Sequence, residues 1–373
     1  MLKDMIILTI AYRDSINKID PYIPGKSIED VKREYNLEHV IRLASNENAH
    51  GASNNALDAA VNSLKNMSLY PDSSAKLLRK ELSSFYGVKK DEVFTANGAD
   101  NVLSILISAY INEGDEVVYC TPTFPVYKSA TLLMGGSCIE VPMTNDWKYD
   151  LNGMLEKITN KTKMVFICNP NNPTGTIVSN QEILDFLDKV PSHVQVVLDE
   201  AYIEYIDDED YLTGIELFKQ SYRIILVRTF SKFYGLAGLR IGYAVGSNQV
   251  LEPMLRIREA FATNRVAIEA GVAALKDQEF TRKHLLEVNR GREYLYNELT
   301  EMGFEVFQSY SNFIFVNFYC NTLNLFEELL QYGYIIRPCA PWKLSQYARV
   351  SIGTMEQNKS FINVLKKSYI KEK

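Results

Sequence analysis

The chain has 373 residues, of which 46% are hydrophobic and 23% charged, with a formal net charge of −6 and a pI near 5.5. This is an ordinary soluble globular composition, long enough for one large domain plus a smaller one. The acidic balance argues against a nucleic-acid partner, which needs a basic face. Five cysteines, odd in number and without a C-x-x-C pair, argue against a disulfide framework or zinc cluster and fit a reducing cytoplasm.

The apolar stretch from Met5 to Tyr12 is too short to span a bilayer. It also lacks the basic start and small-residue cleavage site of a signal peptide, so no membrane association is expected. Residues 1–40 read as an arm leading into a helix or strand, punctuated by Pro21, Pro24 and Gly25. From about residue 75 the pattern alternates, with strands expected over 116–120, 164–168, 194–199 and 223–228. Helices are expected over 101–111, 180–189 and 252–261. Such alternation implies βαβ units and a mainly parallel sheet. After residue 265 a long helical stretch is followed by strands over 305–307 and 312–318, a helix over 323–332 and a strand over 348–352. The expected division is an arm and part of a small domain over 1–40, a large α/β domain over 41–265, and a small α+β domain over 266–373.

Three motifs begin where strand-like runs end, which is where open α/β sheets bind ligands. They are Asn169-Pro170-Asn171-Asn172-Pro173-Thr174-Gly175, Asp199-Glu200-Ala201-Tyr202, and the run from Thr229-Phe230-Ser231-Lys232 to Leu239-Arg240-Ile241-Gly242. In the last, Lys232 offers an amine for a Schiff base and Arg240 a guanidinium for a phosphate. Thr229 and Ser231 add hydroxyls. Asn97-Gly98-Ala99-Asp100-Asn101 precedes an apolar helical run, so its amides either cap a phosphate or serve as an ordinary helix start. Asp199 is placed to keep a pyridine nitrogen protonated, or else caps the next turn. Asn172 and Tyr202 could hydrogen-bond a phenolic oxygen, although an asparagine in such a turn is often only a turn residue. Phe124 could stack on a flat ring or belong to the core. Arg337 and Arg349 interrupt strand-like runs, where an unpaired cation is costly to bury, and call for anionic partners or structural salt bridges.

Other sites are absent. Gly25-Lys26-Ser27 looks like the end of a phosphate-binding loop, but the required first glycine is Asp20. No G-x-G-x-x-G follows a strand. Ser73-Ser74-Ala75-Lys76 has no Lys-Thr-Gly partner. The four histidines show no metal spacing. The run Asp207-Asp208-Glu209-Asp210 reads as a solvated loop.

Together these motifs resemble the histidinol-phosphate aminotransferase family, within the fold-type I enzymes that use pyridoxal 5'-phosphate. The likeness runs from Tyr22-Ile23-Pro24-Gly25-Lys26 through Ser45-Asn46-Glu47-Asn48 and Tyr70-Pro71-Asp72 to Arg349-Val350-Ser351-Ile352-Gly353. The resemblance implies that Lys232 attaches the cofactor, Asp199 pairs with its pyridinium, and Asn172 and Tyr202 contact its phenolic oxygen. It implies that Phe124 stacks on the ring, and that Ala99, Asp100, Thr229, Ser231 and Arg240 hold the phosphate. Tyr70 would reach over from a second subunit of a homodimer. Arg337 and Arg349 would bind substrate anions, helped by Tyr22, with Asn48 close by. Lys232, Asp199 and Tyr202 are then the expected catalytic residues.

Three segments depart from the family pattern. Asn-Glu-Asn-Pro reads Asn46-Glu47-Asn48-Ala49, Gly-Ser-Asp-Glu reads Gly98-Ala99-Asp100-Asn101, and an Arg-x-Pro-Phe-Asn-Thr-type segment reads Arg258-Glu259-Ala260-Phe261-Ala262-Thr263-Asn264. The implied activity is transamination from L-glutamate to imidazole-acetol phosphate, with cytoplasmic location. The alternatives are an aromatic or other biosynthetic aminotransferase, a phospho-amino-acid decarboxylase, and a non-catalytic cofactor-binding protein.

Overall fold

A computed structural model describes residues 11–21 and 25–370, with side chains through residue 368. The alternating region forms a seven-stranded sheet from Val93–Ala96 (β1), Glu116–Thr121 (β2), Ser137–Pro142 (β3), Thr162–Cys168 (β4), Gln195–Asp199 (β5), Ile224–Thr229 (β6) and Gly242–Val245 (β7). The strand order is β1-β7-β6-β5-β4-β2-β3. From β6 to β3 every pairing is parallel, while β7 runs antiparallel to both of its neighbours. The central strands β5 and β6 are almost entirely buried, as suits apolar runs covered on both faces.

The four expected strands fall on β2, β4, β5 and β6. The short β1 and β7 and the edge strand β3, with its exposed positions, carry weaker patterns and escaped the sequence reading. The expected helices over 101–111 and 180–189 are Ala99–Tyr110 and Asn180–Lys189. The second begins with a capping box, in which Ser179 and Glu182 satisfy each other's amide N–H groups. The helix expected over 252–261 instead spans Asn248–Ile257. Arg258 turns extended at φ −68°, ψ 139°, and its guanidinium donates to the carbonyls of Ser73 at 2.6 Å and Thr95 at 3.4 Å. Those bonds end a helix that the apolar pattern alone would continue.

A second sheet contains Glu305–Phe307 (β8), Phe313–Asn317 (β9), Arg337–Cys339 (β10) and Leu344–Ser351 (β11), in the antiparallel order β10-β11-β9-β8. The strand expected over 348–352 thus begins four residues earlier. The long helical stretch is two helices, Arg265–Lys276 and Gln278–Glu301. Asp277 lies between them and caps the second by accepting the Phe280 amide at 3.2 Å. Helices Thr322–Gln331 and Met355–Ile370 complete this part. The segment after Ile41–Arg42 lies along the second sheet, where Ser351 N–H donates to the Leu43 carbonyl at 2.8 Å. One continuous apolar core runs beneath both sheets.

Candidate active site

The ends of β5 and β6, the start of helix Ala99–Tyr110 and the strands β10 and β11 surround a cleft of about 330 Å³. Of the expected residues, it brings together Ala99, Asp100, Phe124, Asn172, Asp199, Tyr202, Thr229, Ser231, Lys232, Arg240, Arg337 and Arg349.

At one end the chain forms a compact cradle. Gly98 precedes the helix at φ 89°, and a Cβ there would come within 2.5 Å of Arg240 Nη2. A Cβ on Gly242 would meet the Ala99 nitrogen at 2.2 Å. Both glycines therefore allow the first amides of a twelve-residue helix to lie against the arginine. Arg240 itself has a left-handed backbone at φ 55°. Its Nη1 donates to Ser231 Oγ at 3.4 Å, and Nη2 lies 3.6 Å from the Asp100 carboxylate. Thr229 Oγ1 donates to the Ile241 carbonyl at 3.1 Å and is hydrogen-bonded to Ser231 Oγ at 3.0 Å. Helix-start amides, hydroxyls and a guanidinium together make an anion site.

At the floor, Asp199 ends β5 and is 3% exposed. The Tyr127 hydroxyl donates to its Oδ2 at 2.6 Å, and the Ala201 amide to its Oδ1 at 3.2 Å. Burial pushes this carboxyl up to about 6 despite both donors, and no described residue forms a salt bridge with it. On the opposite face of the same strand ends, buried Arg228 and Glu200 pair at 2.8 Å. That pair ties β5 to β6 behind the cleft.

Lys232 is half-buried, and its Nζ donates to the Ser45 carbonyl at 2.9 Å. Desolvation, and then the Arg349 guanidinium, push its amine down to about 8. The buried Tyr202 hydroxyl accepts from Asn46 Nδ2 at 2.9 Å and is pushed up to about 12 by burial, so it keeps its proton.

The two arginines are a cross-strand pair, because Arg337 on β10 stands opposite Arg349 on β11. Like charges directly opposite each other are unfavourable unless an anion joins them. Arg349 is 7% exposed, donates from Nη2 to the Ala44 carbonyl at 2.5 Å, and also bonds the Asn172 amide oxygen.

The remaining expected residues stand elsewhere. Tyr70 is 78% exposed and stacked on Phe261, away from this cleft. Asn48 donates to the Phe233 carbonyl at 2.9 Å and accepts the His50 amide, bracing the Lys232 loop instead of lining the cleft. Tyr22 lies outside the described residues. Sequence reasoning missed Tyr127, Asn46, Glu47 and Trp342. Trp342 lines the cleft and donates from Nε1 to the Thr123 carbonyl at 2.9 Å, linking the two sheets' loops. For Tyr127, the available signal was a hydroxyl-bearing side chain three positions after Phe124, at the start of a helix.

The family model for aminotransferase class I and II matches residues 38–365. The chain is 42% identical over 355 residues to the histidinol-phosphate aminotransferase of Moorella thermoacetica, covering 95% of this chain and 92% of that protein. It is 41% identical over 355 residues to that of Caldicellulosiruptor saccharolyticus, covering 95% and 99%. The chain belongs to the histidinol-phosphate aminotransferase family. The solved Sinorhizobium meliloti histidinol-phosphate aminotransferase in complex with pyridoxal-5'-phosphate has a TM-score of 0.86 at 24% identity, covering 95% of this chain and 98% of that one. Thermus thermophilus aspartate aminotransferase with maleate has a TM-score of 0.82 at 20% identity, covering 96% and 99%. These likenesses bear out the expected α/β transferase fold. In this member of the histidinol-phosphate aminotransferase family, the departure at Asn101 has a structural use: its amide oxygen accepts the Asn97 N–H at 3.2 Å.

Proposed function

We propose that the protein is a ping-pong transaminase that uses pyridoxal 5'-phosphate. L-Glutamate gives its amine and leaves as 2-oxoglutarate, and imidazole-acetol phosphate receives the amine and leaves as L-histidinol phosphate. The observation that carries this reading is one cleft holding a depressed lysine, a buried carboxylate and a cross-strand arginine pair. Full-length kinship with curated histidinol-phosphate aminotransferases supports the choice of substrates.

The residues fit the cofactor. The cradle opened by Gly98 and Gly242 suits a phosphate, held by the Ala99 and Asp100 amides, Thr229, Ser231 and Arg240. Asp199, buried without an ionic partner among the described residues, suits a protonated ring nitrogen, and Phe124 suits the ring face. When bound, the cofactor supplies a carbonyl for the amine and an electron-withdrawing ring beside the carbon that loses its proton.

The chain's own groups do the rest. Lys232, with its amine near 8, has an appreciable neutral fraction at neutral pH and can attach the cofactor and carry a proton at Nζ. Tyr202 keeps its proton and presents a donor, while Asn46 fixes its hydroxyl. Arg349 and Arg337 orient an anionic substrate group, and bidentate guanidinium geometry accommodates either a carboxylate or a phosphate. The bond from Arg349 to Asn172 couples substrate binding to a residue assigned to the cofactor.

A homodimer is part of this reading. Exposed Leu57, Val61, Met67, Leu69 and Tyr70 supply an apolar surface, and Tyr70 would complete the partner's site. The cytoplasm suits five cysteines whose odd number and spacing do not form a disulfide framework. The test is to mix the aminated form of the enzyme with imidazole-acetol phosphate and a panel of keto acids while following cofactor absorbance. Fastest reaction with imidazole-acetol phosphate supports the reading. Preference for phenylpyruvate keeps the transaminase and moves its acceptor to the aromatic class.

A further inference from the structure

Among the described residues, three carboxylates line the cleft: Asp199 at the floor, Asp100 beside Arg240, and Glu47. The proposed cofactor contacts use Asp199, the Asp100 carboxylate lies 3.6 Å from Arg240, and Glu47 is left without an assigned role. Its backbone is firmly set. Asn46 N–H donates to Ser351 Oγ at 2.9 Å, Asn312 Nδ2 donates to the Asn46 carbonyl at 3.0 Å, and Asn48 Nδ2 donates to the Phe233 carbonyl at 2.9 Å. Asn46 adopts a left-handed backbone, φ 54°, at the point where this segment turns past Tyr202.

The Glu47 side chain is oriented as well. Arg42 donates from Nε to Oε2 at 2.9 Å and from Nη2 to Oε1, so one guanidinium holds both oxygens. A carboxylate oxygen has two lone pairs, so this grip leaves acceptor capacity on each oxygen. The side chain is 38% exposed and borders the cleft. The cleft's other substrate-facing charges, Lys232, Arg337 and Arg349, attract anions and take no hydrogen-bond donor from a ligand. Glutamate brings no donor beyond the amine it gives up. A nitrogen-heterocyclic acceptor brings a ring N–H.

We propose that Glu47, oriented by Arg42, is the specificity residue that accepts the ring N–H of a heterocyclic acceptor and selects it over aliphatic and carbocyclic keto acids. This deepens the reading of the acceptor as imidazole-acetol phosphate and rests on it. Because the Asn46–Asn48 backbone is held by contacts independent of the Glu47 carboxylate, Glu47→Ala leaves the segment in place.

Two measurements test it in the cofactor-loaded enzyme. In single turnovers of the aminated form, Glu47→Ala lowers kcat/KM for imidazole-acetol phosphate relative to 2-oxoglutarate by about 30-fold, the size of one hydrogen bond to a charged group. Calorimetry of imidazole-acetol phosphate binding to the pyridoxal-phosphate form, which has no amine to transfer, shows a similar weakening. Arg42→Ala, which keeps the carboxylate, retains most of the preference. Equal loss on both acceptors, with Arg42→Ala matching Glu47→Ala, would make the pair purely structural and overturn the proposal while leaving the proposed function standing. A wild-type enzyme inert toward imidazole-acetol phosphate would overturn the functional reading itself, and the Glu47 proposal with it.

Discussion

On the wall formed by the seven-stranded sheet, Thr229 and Ser231 bond to each other two positions apart, and Asp199 accepts the amide of Ala201. On the facing wall, Arg349 reaches Asn172 across 177 positions and Ala44 across 305. The first wall is built from short motifs at strand ends and is largely set once each strand finds its neighbour. The second exists only when the two sheets and the segment following Arg42 have come together. In the proposed function the first wall holds the cofactor and the second selects the substrate. The cofactor-facing residues stand in short motifs at strand ends that are then joined by contacts such as Lys232 to Ser45, whereas the substrate-facing arginines stand in the second sheet and depend on its docking against the first.

The comparison breaks most sharply at Lys232. Lys232→Ala is expected to lower transamination by about 10⁵-fold, as loss of a group at the centre of a catalytic unit does. Its thermal unfolding should stay close to wild type, because among the described residues the amine's hydrogen bond is the one to the Ser45 carbonyl. Single-turnover absorbance checks this, and activity within tenfold of wild type would remove Lys232 from its proposed role. Asp199→Asn keeps an acceptor for Tyr127 but loses the charge, and about a 10³-fold slower proton-transfer step is expected. A solvent and substrate deuterium isotope effect would locate the loss at that step, and an unchanged rate would mean that another group keeps the ring protonated.

Gly98→Ala sharpens the same contrast. Its Cβ would press on Arg240 and its positive φ disfavours a side chain, so cofactor affinity should fall by roughly tenfold with the glutamate KM of loaded enzyme little changed. Fluorescence titration of the cofactor measures the first quantity. Equal damage to both would erase the division between the walls.

The smallest expected effect lies behind the Lys232 loop. His284 is 3% exposed, pairs through Nε2 with the Tyr205 hydroxyl at 3.1 Å, and is pushed down to about 3 by burial. The unfolded chain takes up this proton near 6.5, so stability is lost as pH falls from there toward 3, by at most about 1.4 kcal/mol per pH unit. Asp199, raised to about 6, works in the opposite direction below that pH. His284→Phe should therefore flatten the acid side of the denaturation profile relative to wild type, and an unchanged slope would show that His284 titrates normally.

The division also explains what was legible in the sequence. Lys232, Asp199, Asn172 and Arg240 stand in motifs directly after apolar β-branched runs, and the structure brings all four to one cleft. The central strands were readable because burial on both faces makes them continuously apolar. Strands β1 and β7 were not, being four residues each and antiparallel. Asn46 and Trp342 carried no sign of their position, because their partners Tyr202, Ser351 and Thr123 are distant in the chain, and the local pairing of Glu47 with Arg42 does not reveal the cleft it borders. The end of the helix at Ile257 was equally hidden, since it depends on Arg258 finding carbonyls near residues 73 and 95.

The division of labour is tested most directly by Arg349→Ala, measuring glutamate KM and cofactor affinity on the same preparation. The account predicts a glutamate KM raised by about 100-fold, the cost of a bidentate charged contact, with cofactor affinity within a few-fold of wild type. A parallel loss of both would contradict it, showing that Arg349 acts through Asn172 to hold the cofactor site together.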